Sequence, residues 1–371
     1  MTNHQPGRAD RMSRALAAGA FVLAALLAGA ASLAWAGSDQ RTGTSGAPEL
    51  LIPVGPRGTA LGPAGSSDVT GVEATFWNPA GLAPITGTEA LFSHTQYFAS
   101  QNLNYAAVAV KAGTFGVLGF SAKVLSVGDV IVTTEQAPDG TGETLNPTFT
   151  VLGGSWARQF TDRVNFGFTL QYVNEHIGTM TASGVAADFG VQYMTAWRGL
   201  VLGMTVKNIG TTMAYNGEDL NISVIPPGAE PSSSPRVVRF TTANFEMPSY
   251  FTLATSGDAY RQGGVALRWL GSFQNNNFGG DNFNAGLEWT FHDQLALRGS
   301  WFGTFTTSAE DPVTGSSSTS FSSGDDLYSG YALGAGVNVK AGASKLAVDV
   351  AWRPVRDFFD DIFEVGVRAH F

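Results

Sequence analysis

The segment Val164 to His176, "VNFGFTLQYVNEH", alternates without a break. Phe166, Phe168, Leu170 and Tyr172 share one parity; Asn165, Thr169, Gln171 and Glu175 share the other. A period of two marks a β-strand, whose successive side chains point to opposite faces. Four further segments repeat the pattern. "FNAGLEWTF" sets Phe283, Leu287, Trp289 and Phe291 against Asn284, Glu288 and Thr290, and "LALRGSW" sets Leu295, Leu297 and Trp301 against Arg298 and Ser300. "LAVDVAW" sets Leu346, Val348, Val350 and Trp352 against Asp349. The closing "IFEVGVRAHF" sets Phe363, Val365, Val367 and Phe371 against Glu364, Arg368 and His370.

Extending the same reading along the chain predicts strands near 88–97, 101–111, 114–125, 148–160, 164–176, 181–194 and 198–208. Seven more follow near 248–257, 262–272, 282–291, 295–304, 328–339, 344–354 and 361–371. The first three alternate most faintly, because both faces of "LNYAAVAV" are apolar or small. The connections then sort by length. Every even-to-odd link is short: Ala112-Gly113, Thr161 to Arg163, Thr195 to Trp197, Asp258 to Arg261, His292 to Gln294 and Lys340 to Ala343. The long Gly/Ser/Asn/Asp-rich links, near 126–147, 209–247 and 305–327, are all odd-to-even. The longest has room for a further hairpin, which would change the strand count and not the side. Short turns at one end and long loops at the other are the layout of an outer-membrane barrel; a soluble sandwich has no reason to sort them. The expected fold is all-β, a 14-stranded antiparallel transmembrane β-barrel.

Apolar parity then faces lipid and polar parity the lumen. Trp269, Trp289, Trp301 and Trp352 take the outward parity near strand ends, as interfacial aromatic girdles require. Trp156 is ambiguous, since Arg158 shares its parity. Trp156 and Trp289 are expected at the periplasmic edge, and Trp269, Trp301 and Trp352 at the external one. The expected luminal polar residues include Glu175, Lys207, Arg268, Glu288, Arg298 and Asp349. A turn centred on Asp293 sets Glu288 opposite Arg298, an attractive cross-strand pair worth ~0.2–1 kcal/mol. Bracing of the lumen by such charges competes with a role in substrate binding.

Composition bounds the rest. The chain has 371 residues, a net charge of −9 and no cysteine. The acidic balance argues against a nucleic-acid partner, which needs clustered Lys and Arg. Residues 1–36 read as a signal peptide: Arg8, Arg11 and Arg14, then an Ala/Leu-rich stretch, then Ala34-Trp35-Ala36 before Gly37. An uncleaved anchor is the competing reading, since the stretch is long enough to span. No catalytic or metal constellation emerges and no cofactor is implied. His4, His94, His176, His292 and His370 lack ligand spacing, and no G-x-S-x-G or phosphate-binding Gly loop is present. The acidic stretches "EDPVTG" and "SSGDDL" lack the spacing of a calcium loop and read as solvated loops.

The run "GPRGTALGPAGSSDVTGVEATFWNPAGLA", Gly55 to Ala83, resembles the N-terminal signature of the PorV/PorQ family, among the FadL-like outer-membrane barrels. "WNPAGLA", Trp77 to Ala83, is its most specific part, and "VKNIG", Val206 to Gly210, is similar to that family's strand-end element. The resemblance implies a fourteen-stranded barrel, residues 88–371, with residues 37–87 folded into the lumen as a plug or hatch. In that frame Phe76, Trp77, Asn78, Pro79 and Gly81 form the knuckle where the plug turns back to join the wall. Pro79 fixes its own φ and extends Asn78, Gly81 permits a left-handed turn, and Phe76 and Trp77 anchor the plug. Ser67 is expected to cap a short helix ahead of it, against the weakening effect of Gly71. An ordinary turn before a first strand is the alternative. The terminal Phe371 resembles the signal read by the barrel-insertion machinery. The resemblance implies an outer-membrane, non-enzymatic protein surrounded by lipid. It implies passage or holding of a hydrophobic ligand such as a long-chain fatty acid; the alternative is a type IX secretion component that binds exported proteins.

Overall fold

Alternation along the chain becomes a wall with two unlike faces. The computed structural model describes residues 43–371, except 198, 226, 227, 229–233, 308–318, 326, 343, 357 and 358. The expected signal peptide, the first residues of the expected plug segment and "EDPVTG" lie outside the described residues.

The wall strands are β1 (Thr88–Gln96), β2 (Asn102–Lys111), β3 (Val117–Ser126), β4 (Thr148–Thr161), β5 (Val164–Ile177), β6 (Met180–Met194) and β7 (Val201–Gly210). They continue as β8 (Tyr250–Gln262), β9 (Val265–Asn276), β10 (Asp281–Phe291), β11 (Leu295–Thr307), β12 (Tyr331–Ala341), β13 (Ser344–Arg353) and β14 (Ile362–His370). Each pairs antiparallel with its neighbours, and β1 pairs with β14 from Glu89↔His370 to Gln96↔Phe363. The sheet therefore closes into a 14-stranded antiparallel barrel with no free edge. The long-loop end carries two small hairpins, Val130–Ile131 with Thr144–Leu145 and Asn221–Val224 with Arg236–Arg239.

The outward parity is apolar and exposed: Leu170, Tyr172, Leu287, Trp289, Leu297, Val348, Val350, Val365 and Val367. On the inward parity Asn165, Thr169, Gln171, Glu288, Arg298, Asp349 and Glu364 are buried. Such a wall is stable only with hydrocarbon outside it, which places the protein in the outer membrane. Phe283 keeps the outward parity yet is buried, because Phe273 and Phe305 pack on it with ring centroids 5.0 and 5.3 Å away.

Three local expectations change. The link at Asp258 to Arg261 is strand, with a register shift between Asp258 and Tyr260. The chain reverses instead at Gly263 and Gly264, both at positive φ (62° and 79°), the geometry of a two-residue hairpin turn. Residues Gly113–Phe115 form a 3-10 turn, so β3 begins later than expected. Because β9 runs on to Asn276, Trp269 pairs with Leu287, two rungs from the Leu267↔Trp289 pair. It belongs to the periplasmic half with Trp289, not to the external edge.

Candidate functional site

The described N-terminal residues lie inside the barrel. Short helices α1 (Pro56–Leu61) and α2 (Ala74–Trp77) alternate with 3-10 turns Pro48–Leu51, Gly62–Ser67 and Pro79–Leu82. With Pro at three of these starts and Gly at Gly55, Gly62 and Gly71 in positive φ, no element exceeds six residues. A chain broken this often packs as a compact wad, which suits a lumen.

The knuckle is held from both sides. Asn78, extended at φ −159°, accepts from Ala80 N–H at 3.1 Å through its side-chain oxygen. Its amide donates to the Ser66 carbonyl at 2.8 Å and to the Val191 carbonyl in the wall at 3.3 Å. Pro79 opens the next 3-10 turn and rests on wall glycines. A Cβ on Gly167 would lie 2.1 Å from the Pro79 carbonyl carbon, and one on Gly190 would lie 2.1 Å from Asn78 Oδ1. Gly81 does not adopt a left-handed turn. It is needed for close approach, since its Cβ would sit 2.1 Å from the Val69 carbonyl oxygen. Ser67 does not cap α2 either; its hydroxyl donates to the Ala64 carbonyl, and α2 has no side-chain cap. Trp77 braces the plug from within, donating from Nε1 to the Val54 carbonyl at 2.8 Å.

Phe76 meets the wall through cations. Lys207 Nζ lies 3.8 Å and Lys123 Nζ 4.7 Å from the centre of its ring. Lys207 donates to the Phe76 carbonyl and Lys123 to the Ile52 carbonyl, each at 2.5 Å. Such cation–π contacts strengthen when desolvated, as here.

Of the other expected luminal charges, Arg268, Glu288, Arg298 and Asp349 converge in one alternating chain. Asp349 accepts from Arg298, which also donates to Glu288 at 2.8 Å. Glu288 takes a two-pronged grip from the plug's Arg57, at 3.0 and 2.8 Å. Arg57 reaches Asp68 at 3.2 Å, Asp68 meets Arg268 at 3.0 Å, and Arg268 meets Asp258 at 3.0 Å. Plug residues Arg57 and Asp68 thus join the Glu288–Arg298–Asp349 cluster of the wall to its Arg268–Asp258 pair. Glu364 joins separately, accepting from Gly55 N–H at 2.7 Å and Thr59 Oγ1 at 2.5 Å.

Glu175 stands apart from this chain. It accepts from the Tyr215 hydroxyl and faces the plug's Glu49. Glu49 is fully buried, and neither of its oxygens has a hydrogen-bond partner among the described residues. Burial first, and then the Glu175 carboxylate, push the Glu49 carboxyl up to about 7, with Lys123 opposing. Its folded value exceeds its unfolded one, so its contribution is complete below the ordinary glutamate range and lost as pH rises through 7. Glu49→Gln is therefore expected to melt higher than the wild type at pH 8 and alike at about pH 3.5, below the ordinary glutamate range. Equal melting temperatures at pH 8 would remove the Glu49 assignment.

Above the plug lies a cavity of about 540 Å³. Phe76, Trp77, Leu51 and Ile52 form its floor, and Tyr97, Tyr250, Phe302 and Tyr328 stand around it with the amides of Gln274, Asn276, Asn282 and Asn284. This is the size and chemistry of a small-molecule pocket. Arg353, Lys123, Glu49, Arg57 and Asp68 were not singled out in the sequence. Parity reaches Arg353, which continues the inward series of Asp349; no periodic signal reaches the plug residues. Phe371 is two-thirds exposed (66%) at the seam, exchanging backbone hydrogen bonds with Thr88 at 2.9 and 3.3 Å.

No protein-family model matches the chain, and no curated protein matches it. Solved structures do. The chain is similar to the Pseudomonas putida toluene transporter TodX (13% identity, 85% of this chain and 96% of that one, TM-score 0.50). It is similar to the CymD monoaromatic hydrocarbon channel (10%, 86% and 97%, TM-score 0.53) and to a Pseudomonas aeruginosa FadL homologue (11%, 86% and 98%, TM-score 0.50). The chain therefore shares the fold of these channels: a closed 14-stranded outer-membrane β-barrel with its described N-terminal residues lodged in the lumen.

Proposed function

We propose that this protein takes up or holds a small hydrophobic molecule, such as a long-chain fatty acid, in the cavity above its plug, without enzymatic chemistry. One observation carries the reading: the cavity of about 540 Å³ inside the barrel has an aromatic floor and wall with a few amides. An apolar ligand gains there by leaving water, at ~25 cal/mol per Å² of buried apolar surface. That the similar solved structures include hydrocarbon channels agrees with it. In this reading Phe76, Trp77, Asn78, Pro79 and Gly81 hold the plug, and the luminal charges Glu175, Lys207, Arg268, Glu288, Arg298 and Asp349 brace it. Residues 1–36 direct export and Phe371 serves the insertion machinery.

A second reading follows from the likeness of residues 55–83 to the PorV/PorQ signature: a type IX secretion component that binds exported protein. Its specific support is the hairpin Asn221–Val224/Arg236–Arg239 at the long-loop end, where Val237 is 71% exposed and Val238 and Phe240 are also bare. Native mass spectrometry of the protein, extracted from its own outer membrane in mild detergent, tests both. A bound apolar small molecule is the expected result. A co-purifying protein without any small molecule would favour secretion instead.

A further inference from the structure

The lipid-facing side of the wall carries a hollow of about 730 Å³ across β9 to β12. It forms where the outward parity runs small. Gly299 of β11 lies in register between Leu287 of β10 and Leu333 of β12, each 50% exposed. Along its own strand it lies between Leu297 and Trp301. Four bulky side chains thus stand around a residue that has none. Ala285, in register with Trp301, continues the floor. Trp269, beside Leu287, and Trp289, beside Leu297, carry the trough toward the periplasmic turns. Its external end is closed. Two residues beyond Ala285, Phe283 packs with Phe273 and Phe305, and Trp301 is fixed by donating from Nε1 to Ser323 Oγ at 2.8 Å.

This face is already covered by hydrocarbon, because the barrel stands in the outer membrane. Among lipid tails nothing is gained by leaving water, so association rests on van der Waals contact. A convex wall touches a tail on one side. The trough touches it on three, and so recovers contacts that an unfilled hollow forfeits. We propose that the trough seats one acyl chain of a phospholipid from the periplasmic leaflet, held as a structural lipid. The leaflet follows from the shape: the trough is closed externally and runs toward the periplasmic turns. Its length agrees, since Leu297 to Trp301 is ~14 Å of strand at ~3.4 Å per residue, within one leaflet of a ~30 Å hydrocarbon core. The site lies on the outer face of the wall, apart from the luminal cavity, and is independent of what that cavity holds. It also backs the ion cluster. Glu288 pairs with Arg298 on the rung next to Leu287 and Gly299, so a seated tail thickens the wall where a glycine separates lipid from buried charge.

The test is native mass spectrometry of the delipidated barrel in a nonionic detergent, titrated with palmitoyl-oleoyl phosphatidylethanolamine. The wild type is expected to bind it saturably, and Gly299→Leu to bind it ~10-fold more weakly, the low end of what overfilling a packed site costs. A Cβ on Gly299 would lie 3.2 Å from Leu333 Cδ2, the free end of a lipid-facing side chain, and 3.8 Å from the Ala332 carbonyl oxygen, so the wall accommodates the leucine. Gly154→Leu is the control. Gly154 also faces lipid, in register with the exposed Phe120 and Leu170, and a Cβ there meets nothing within 4 Å. This variant is expected to bind as the wild type does. Should Gly299→Leu not assemble, Ala285→Leu fills the same floor and is expected to weaken binding likewise. Wild-type affinity in a trough variant, an equal loss in Gly154→Leu, or no saturable binding at all would overturn the assignment. Lipid A retained from the native membrane in place of a phospholipid would overturn the choice of leaflet. None of these results bears on the luminal cavity.

Discussion

Gly167→Val is expected to unseat the plug and raise single-channel conductance in planar bilayers severalfold. The glycine faces inward on β5, and a Cβ there would lie 2.1 Å from the Pro79 carbonyl carbon, 2.3 Å from its oxygen and 2.4 Å from the Ala80 nitrogen. All three atoms are backbone, so no side chain can swing away. Overpacking of a well-filled site costs ~1–3 kcal/mol when neighbours can shift a little. Here the neighbours are the knuckle itself, fixed by Asn78 to Ala80, Ser66 and Val191. The plug must therefore move away from the wall. Gly154→Val on β4 is the control, since a Cβ there meets nothing within 4 Å. Conductance unchanged by Gly167→Val, or raised equally by both variants, would show that the knuckle does not seal the lumen.

Glu288→Ala is expected to cost ~3–5 kcal/mol in chemical unfolding of the barrel in lipid vesicles, the range for a buried pair broken on one side. Glu288 is 5% exposed and is the acid between two arginines, Arg298 of the wall and Arg57 of the plug. Its removal leaves both guanidinium groups facing each other with only Asp68 and Asp349 at the flanks. The comparison is Arg261→Ala, which breaks the ion pair to Asp258 from a side chain 60% exposed. Screened by water, that pair is worth under ~1 kcal/mol. Similar costs for the two variants would mean the buried chain contributes no more than a surface contact.

Much of the wall was legible because its information is local and repeats. In β5, Asn165 to Glu175 alternates with Phe166 to Tyr172, and each inward residue is buried where its apolar neighbour is half-buried (Phe166, Phe168) or exposed (Leu170, Tyr172). The register Glu288↔Arg298 followed from one turn at Asp293. Where local signals competed, the reading slipped. Asp258 to Arg261 looked like a turn, whereas the two glycines just beyond it reverse the chain, which lengthened β8, started β9 later and left Trp269 nearer the periplasmic turn, in the other half of the membrane. Gly81 was assigned a backbone conformation when its need is space beside Val69, a contact invisible in a neighbour-by-neighbour reading.

The amino-acid sequence alone determined an antiparallel barrel of about fourteen strands, its lipid and luminal faces and the end that bears the long loops; closure at fourteen was decided by the tertiary structure. Each follows from a period of two and from connection lengths, which are properties of adjacent residues. Only the tertiary structure decided what the lumen does. The grip of Arg57 on Glu288 spans 231 positions and that of Gly55 on Glu364 spans 309. The cavity exists because a plug with no periodic pattern fills one part of the lumen and leaves another open beneath Arg353. Contacts between segments so distant in the chain arise from closure of the barrel around the plug, and no local pattern encodes them.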